Sequence, residues 1–566
     1  MKSIPLIASL LFFFCFSLKA EEQFRERVYV HTDKDCYIAG ESILLKFYVI
    51  NGNFQPSGLS KVGYVEFCDT KRPQTQLKVA LEKGSGAGII RIPIDLPTGI
   101  YQLSGYTRYM RNENDNVFFK KLIAIVNAGQ QTPDPERYEP VEKLENIQLV
   151  REEQSDEKES ANLLIYTDRN EYENRKKVIL SLDNIPHNIA DLVVSVIRND
   201  TIALVPEINR REWLKQVKDT FNFSNQWLPE YEGHIISGHI IPELQEDQRF
   251  RSSIAFVGTD IRYFNGQINY ASGTADFYIA GIFGKQQVVT SVVSPLYKKA
   301  SHRLDLFSPF SESLPGVLPI LQICPNEKRL TERYVAAQIQ EKTDNDSLDN
   351  PVRNSAYSNL QPTLSYDLDK YTRFSTISET ILEFVSRVSV TKIDGLRKIK
   401  VFPEGGLPSN IGTLLVLFDG IPVYDHEDIL EYNPMYIKEI NIYEGHYLFG
   451  GENFECIISF VTREGDLPFF QLAEGVQLFN YDCPQLPPTI KIQDYSIEEI
   501  RNSRKPDFRH TLYWNPFVEF INNQPTQLSF FTSDLCGEFK ITVEGITTDG
   551  KIIRGVSYFQ VKNSTP

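Results

Sequence analysis

The side chains able to do acid–base or covalent chemistry are few and scattered. Eight histidines, His31, His187, His234, His239, His302, His426, His446 and His510, are spread over 566 residues. No His-Glu-x-x-His run, nucleophile elbow or Gly-rich phosphate loop accompanies them. His234 and His239 stand five apart, so on a strand they face opposite sides and cannot share a metal ion. In Leu535-Cys536-Gly537-Glu538-Phe539-Lys540 an internal thioester would need a Gln carboxamide three residues after the thiol, and Phe539 has no acyl group to give. The acids Asp425, Glu427, Asp428 and Glu431 offer oxygens to a calcium ion, which takes about six to eight of them. Their spacing fits no EF-hand, and acids at a helix start complement its dipole. The helix reading is preferred. No catalytic, cofactor-binding or metal-ligating residue is expected. Tyr106, Tyr109, Tyr513 and Trp514 mark a binding face if exposed and core if buried, and the sequence leaves both open.

The compartment is read from residues 1–20, MKSIPLIASLLFFFCFSLKA, where Lys2 precedes an apolar run from Ile4 to Phe16 that ends at the small Ala20. This is the pattern of a secretory signal peptide, with a run too short for a membrane span. Cys15 follows Phe12, Phe13 and Phe14, not the small residues that lipid attachment needs. The remaining Cys36, Cys68, Cys324, Cys456, Cys483 and Cys536 contain no C-x-x-C pair. Export permits disulfides. Cys36 with Cys68 is the pair that one domain could hold, and buried single thiols are the alternative. Net charge is -15, and -17 once Lys2 and Lys19 are removed, which disfavours nucleic acid and anionic lipid as partners. No transmembrane segment is expected in the mature chain.

The elements that must position any binding residue are mostly strands. The chain has 28 Tyr and 36 Phe against 3 Trp and 3 Met, with 31 Pro and 32 Gly, a balance that favours short strands joined by turns. Its length implies roughly three to five domains. Val28 to Ile50 reads as strand, turn at Ala39-Gly40-Glu41 and strand, and Ile92 to Met110 closes the unit with a turn at Pro97-Thr98-Gly99. Together they describe a β-sandwich. The stretch TDKDCYIAGESILLKF at Thr32 returns as TDRNEYENRKKVILSL at Thr167, a constant offset of 135 that aligns Asp33 with Asp168 and Tyr37 with Tyr172. Repetition at domain spacing signals a second sandwich.

Tyr29, Thr32, Asp33, Lys34, Tyr37, Gly40, Glu41, Leu96, Pro97, Gly99 and Tyr101 resemble the macroglobulin-type domain of the alpha-2-macroglobulin superfamily. Glu232 to about Val293 resembles a carboxypeptidase-regulatory-like sandwich. Residues 414–430, LLVLFDGIPVYDHEDIL, followed by Ile437, Ile440, Ile442, Gly445, the turn Tyr447 to Gly451, Thr462 and Gly465, resemble the plug of a TonB-dependent outer-membrane transporter. After Gly465 only 101 residues remain, whereas a 22-stranded barrel needs over ~200, so no barrel is expected here. The turn departs from the plug pattern in its bulky Leu448 and Phe449.

The expected fold is mainly β: serial Ig/macroglobulin-like β-sandwiches plus one small α+β plug-like domain. In residue ranges, a signal peptide (1–20), a macroglobulin-like sandwich (24–127), a charged linker (128–160) and a second such sandwich (161–231) come first. A carboxypeptidase-regulatory-like or Ig-like sandwich (232–325), a helix and connector (326–371), the plug-like domain (372–466), a connector (467–504) and a C-terminal Ig-like sandwich (505–566) follow. The helix-like Ser375 to Val388 is expected to bury Ile377, Ile381, Leu382, Phe384, Val385 and Val388, with Ser375 or Ser378 as its cap.

The resemblances, which point to Bacteroidetes proteins of the Gram-negative envelope, imply a noncatalytic binding or scaffold protein of periplasm or outer membrane. It would dock on an outer-membrane β-barrel or other envelope protein through Asp419, Gly420, Pro422, Tyr424, Tyr447, Gly450 and Gly451. The alternative is a macroglobulin-like protein that engages a protease, with Gln130 to Ser160 or Lys342 to Asn359 as cleavable bait. Neither reading calls for a cofactor.

Overall fold

The computed structural model describes residues 25–127, 129, 134–141, 163–199, 202–205, 213, 222–244, 250–293, 300–323, 327–344, 360–393, 395–405, 414–449, 452–489, 493–520, 525–549 and 551–563. The signal segment lies outside them, as do Cys324 and most of both bait stretches. No helix among the described residues is long and apolar enough to cross a membrane. The chain is mainly β and divides into two compact units: residues 1–231, 310–351 and 484–566, and residues 232–309 and 352–483.

In the first unit, the first sandwich has strands β1 (Glu26–Thr32), β2 (Cys36–Ile38), β3 (Ser42–Asn51), β4 (Val62–Cys68), β5 (Pro73–Ala80), β6 (Ser85–Arg91), β7 (Gly99–Thr107) and β8 (Phe119–Val126). One sheet has the order β1-β3-β6, the other β2-β8-β7-β4-β5, with β2 parallel to β8. A second sandwich has β9 (Leu164–Thr167), β10 (Glu171–Glu173), β11 (Lys177–Asp183), β12 (Ile189–Arg198), β13 (Thr511–Asn515), β14 (Thr526–Phe531), β15 (Gly537–Thr547) and β16 (Ile552–Lys562). Its sheets run β9-β11-β14 and β10-β16-β15-β12-β13, with β10 parallel to β16. Each strand pairs as its counterpart eight places earlier does.

The repeated sequence makes the same corner twice. Tyr37 donates its hydroxyl to Asp33 Oδ1 (2.7 Å) and accepts from the Lys34 amide (3.1 Å), while Asp33 Oδ1 also accepts from the Leu44 amide (3.1 Å). Tyr172, Asp168, Arg169 and Ile179 repeat this at 2.8, 3.0 and 2.8 Å. At both corners the carboxylate and phenol thus bind the strand-turn-strand alongside the backbone bonds from Asp33 to the Leu44 carbonyl and from Asp168 to the Ile179 carbonyl (both 3.0 Å).

The expected boundaries are corrected here. Residues 161–231 do not close a sandwich, and 505–566 do not form a separate one; they are two halves of a single domain. In the first sandwich β4 turns into β5 through Asp69–Arg72, whereas residues 199–510 stand between β12 and β13. The repeat covered only the front half, so the back half looked like an independent unit. The charged linker is not wholly solvated either: Tyr138–Pro140 pairs in parallel with Leu321–Ile323, which also pairs Ala203–Leu204. This small sheet belongs to the first unit and so removes Leu321–Ile323 from the 232–325 sandwich.

Hydrophobic alternation fills a separate core in each sandwich. The helix Glu327–Asp344 is pinned to the first sandwich by the buried Arg333, which donates to Glu41 Oε1 and Oε2 (both 3.1 Å) and to the Cys36 carbonyl (2.8 Å). Burial pushes the Glu41 carboxyl up, but Arg333 and Lys34 overcome it and hold it well below the usual carboxylate range. The two sandwiches meet through Leu44, Val193 and Trp514 and through the wholly buried Lys46, 2.7 Å from Asp191.

In the second unit, strands between His234 and Leu306 form one continuous eight-stranded sheet that Gln477–Asp482 completes by pairing with Lys285–Thr290. Part of the expected 467–504 connector is therefore a strand, its Leu478, Phe479 and Tyr481 too short a signal to register alone. The α+β domain has the sheet order Leu364–Asp367, Ile437–Phe449, Glu452–Thr462, Leu414–Phe418, Ile421–Pro422. Helix Ile377–Phe384 covers it, capped by Thr376, whose Oγ1 accepts from the Glu379 amide (3.2 Å) while Glu379 Oε2 accepts from the Ser375 amide (3.0 Å). This resembles a capping box with the return bond one residue early, and its cap lies one residue after Ser375 and two before Ser378. Leu382, expected inside, is 83% exposed, because a helix this short turns only Ile377, Thr380 and Ile381 inward.

Candidate functional site

Phe418-Asp419-Gly420-Ile421 is a two-residue hairpin turn in which Asp419 has φ +43° and Gly420 φ +80°. Asp-Gly is the pair that such a turn favours, since both central residues adopt the left-handed region. Asp419 is fully buried. Its Oδ1 accepts from the Thr462 amide (2.7 Å), and its Oδ2 accepts from the Thr462 hydroxyl (2.7 Å) and the Leu467 amide (3.0 Å). Burial raises the Asp419 carboxyl above its usual range against the pull of these bonds. The Asp of the turn and the Thr that ends the last strand are thus one contact.

Three of the seven expected docking residues are thereby removed from the surface. Asp419, Gly420 and Pro422 are buried, and the Asp419 carbonyl accepts from the Gly258 amide (3.0 Å). A Cβ on Gly420 would lie 2.8 Å from the Phe256 carbonyl oxygen and 3.0 Å from that of Asp260. Tyr424 bonds through its hydroxyl to Ser291 Oγ (2.7 Å) and Ser253 Oγ (3.1 Å). Turns are usually at the surface, but here the eight-stranded sheet domain of the same unit covers this one, and the two share a core. Tyr447 is half-buried and donates to the Glu444 carbonyl (3.3 Å), while Gly450 and Gly451 lie outside the described residues.

What the unit does expose is the next turn along, which sequence reasoning missed. The Phe470 amide donates to the Leu467 carbonyl (3.2 Å), leaving Pro468 and Phe469 at the centre. Leu467 and Phe469 both have φ +58°, a region that bulky side chains rarely enter and that the third position of such a turn reserves for Gly or Asn. The turn is clamped on three sides. Leu467 is tied to Asp419, the Pro468 carbonyl accepts from the Tyr432 hydroxyl (2.6 Å), and Phe470 stacks on Phe418 with centroids 4.4 Å apart. Phe469 is left 80% exposed, its ring centroid 5.1 Å from that of Tyr436. Met435 (55% exposed) and Tyr436 (39%) stand on a turn whose Pro434 and Ile437 carbonyls accept from Arg373. Glu464 and Asp466 are exposed beside them.

No family model matches the chain. No curated protein matches it either. Among solved structures it is similar to Salmonella alpha-2-macroglobulin reacted with methylamine, at 8% identity over 96% of this chain and 40% of that one, with a TM-score of 0.25. Trypsin-activated alpha-2-macroglobulin from Escherichia coli gives 9% identity, 96% and 42% coverage and a TM-score of 0.24. The elastase-activated Escherichia coli protein gives 8%, 95%, 44% and 0.25. The chain spans about 40% of the length of the first of these structures. Likeness at this score carries no argument about what the chain does.

The other sequence-level candidates resolve into structure. Asp425 caps helix His426–Leu430 by accepting from the Glu427 amide (3.2 Å), and Glu427 and Glu431 both pair with Arg397. Two of the four acids thus face guanidinium, and Asp425 lies 3.6 Å from the Lys398 ammonium. His234 bonds to the Tyr481 hydroxyl (2.7 Å), and Cys536 donates to Asn563 Oδ1 (2.8 Å). Tyr106, Tyr513 and Trp514 are core. The Cys36–Cys68 pairing is corrected: both are free thiols, on β2 and β4, with β8 and β7 between them. Three strand spacings put them about 14 Å apart, twice the reach of a disulfide.

Proposed function

We propose that this is a noncatalytic cell-envelope protein, exported to the periplasm or outer membrane, that binds or scaffolds. The pair of sandwiches is its frame. The second unit is the part presented to a partner, an outer-membrane β-barrel or other envelope protein. One observation carries the reading: where the first sandwich has the short turn Asp69–Arg72, its copy holds residues 199–510, which include the whole second unit. Loops on rigid β frames are where binding function is grafted. Three buried groups support the noncatalytic part, since Asp419, Glu41 and His234 are each occupied by hydrogen bonds that hold the fold.

The test is mild crosslinking and purification of the tagged full chain from outer membranes, with the crosslinked peptides mapped. The expected result is a stoichiometric envelope protein joined to residues 232–309 or 352–483. A free monomer, or crosslinks confined to the sandwich pair, would refute the reading.

A second reading is engagement of a protease, favoured by the duplicated sandwich with a charged stretch between its copies. It predicts that cleavage within 130–160 or 342–359 traps or inhibits the protease. Simple cutting without inhibition removes it.

A further inference from the structure

The geometry points to Phe469, with Tyr436 and Met435 beside it, as the anchor by which the second unit grips its partner, a protein surface carrying an apolar pocket rimmed by Lys or Arg. This rests on the reading that the second unit is the presented part.

Three independent features converge on these residues. The first is conformational. Phe469 occupies a position at φ +58° where glycine is the unstrained choice, so the local backbone gains nothing from the aromatic ring. The second is burial. Among the described residues its one aromatic partner is Tyr436, and the ring is 80% exposed, so the fold's interior gains little from it either. The third is rigidity. Asp419 holds Leu467, Tyr432 holds Pro468, and Phe470 stacks into the core. The side chain is therefore presented in one place before any partner arrives, which removes much of the ordering cost of binding. A large, rigid, outward aromatic beside Tyr and Met is the composition of an interface hot spot.

Charge selects the partner. Glu464 and Asp466 flank the turn, and among the described residues neither has a cation within ion-pair distance. Of the nearby cations, Arg373 and Arg463 share Asp369 and Lys438 pairs with Glu439 (3.3 Å), so with Glu464 and Asp466 the patch carries four acids against three bases. The patch therefore offers apolar area with a net charge of -1 over these groups, which a basic rim complements. A second copy of a chain with net charge -15 and an anionic membrane surface are both disfavoured by the same sign. Asp419 is a positioning residue for this anchor, because it fixes the Leu467 amide.

The experiment places a photo-crosslinking phenylalanine analogue at position 469 of the full chain in its native envelope, with the same analogue at Leu382 as an exposed control. The expected product is one protein captured at 469 and not at 382, joined through a segment containing Lys or Arg. Phe469→Gly is expected to weaken binding of that protein by about thirtyfold, the loss of one hot-spot residue, while thermal stability stays level or rises because the backbone is relieved. Phe469→Ala is expected to lose binding equally without that relief. A dimer of this chain, or lipid, as the sole product at 469 overturns the inference. So does a partner that crosslinks elsewhere on the second unit and binds Phe469→Gly within twofold of the natural protein; in that case the broader reading stands. No partner at either position sinks both.

Discussion

Replacing Asp419 with alanine should unfold the α+β domain more readily than its size suggests. The substitution removes the acceptor for two buried amides, Thr462 N and Leu467 N, and for the Thr462 hydroxyl. Each stranded amide costs about 1–3 kcal/mol, and the left-handed backbone costs alanine about 1 kcal/mol more. The hydroxyl can turn to another acceptor, and a desolvated charge is no longer buried, so the net loss is about 3–5 kcal/mol. Asp419→Asn keeps one acceptor oxygen and tolerates positive φ, so it should cost only about 1–2 kcal/mol. A chain of two units does not unfold in one step. Urea titration read by hydrogen exchange in peptides spanning 414–424 and 456–470 isolates the transition that matters. Equal losses for the two variants, or a loss below about 1 kcal/mol for alanine, would refute the claim that this carboxylate ties the strand end to the following turn.

Lys46 is wholly buried, and burial lowers its ammonium to about 8 against the pull of Asp191. Folding therefore carries a cost of about 3 kcal/mol that is full below pH 8 and fades as pH rises toward 10.5. Replacing both partners, Lys46→Met with Asp191→Leu, should stabilise the sandwich pair at pH 7 by about 1–3 kcal/mol, whereas Lys46→Met alone strands the Asp191 carboxylate and should destabilise it; thermal melts taken at rising pH should show the double variant's advantage shrinking. Gly420→Ala should cost more than about 2 kcal/mol, since the new Cβ meets the Phe256 carbonyl oxygen at 2.8 Å in a left-handed backbone; Gly395→Ala, with open space around it, should cost less in the same melts. Alkylation of the unfolded, unreduced protein followed by mass spectrometry should find both Cys36 and Cys68 labelled.

The legible parts of the fold were those with a local signature. The offset of 135 located both Asp–Tyr corners, because each needs its residues within a dozen positions of one another. Asp419-Gly420 announced a tight turn for the same reason. Pairings between distant strands left no such mark: nothing near β12 says that its hairpin partner is Thr511–Asn515. Depth was equally silent. A turn motif specifies backbone dihedrals, and whether another element lies over it is decided elsewhere, here by Phe256 to Asp260. Leu382 fits a helical apolar face, yet the helix ends two residues later at Phe384. Pro468-Phe469 reads as any loop, because positive φ at a phenylalanine runs against the preference that sequence reasoning relies on.

The interrupted hairpin of the second sandwich also sets an order of events. As the chain emerges from its N-terminus, β9 to β12 appear long before β13 to β16. Until then β11 and β12 are strands with unsatisfied edges, the kind that capture other chains. Closing the domain requires joining segments about three hundred residues apart, among the slowest steps a β topology offers. The intervening body can complete its own core first and, by compacting, draw β12 and β13 within reach. Mutations that slow the inserted unit should therefore show up as aggregation of a sandwich they never touch.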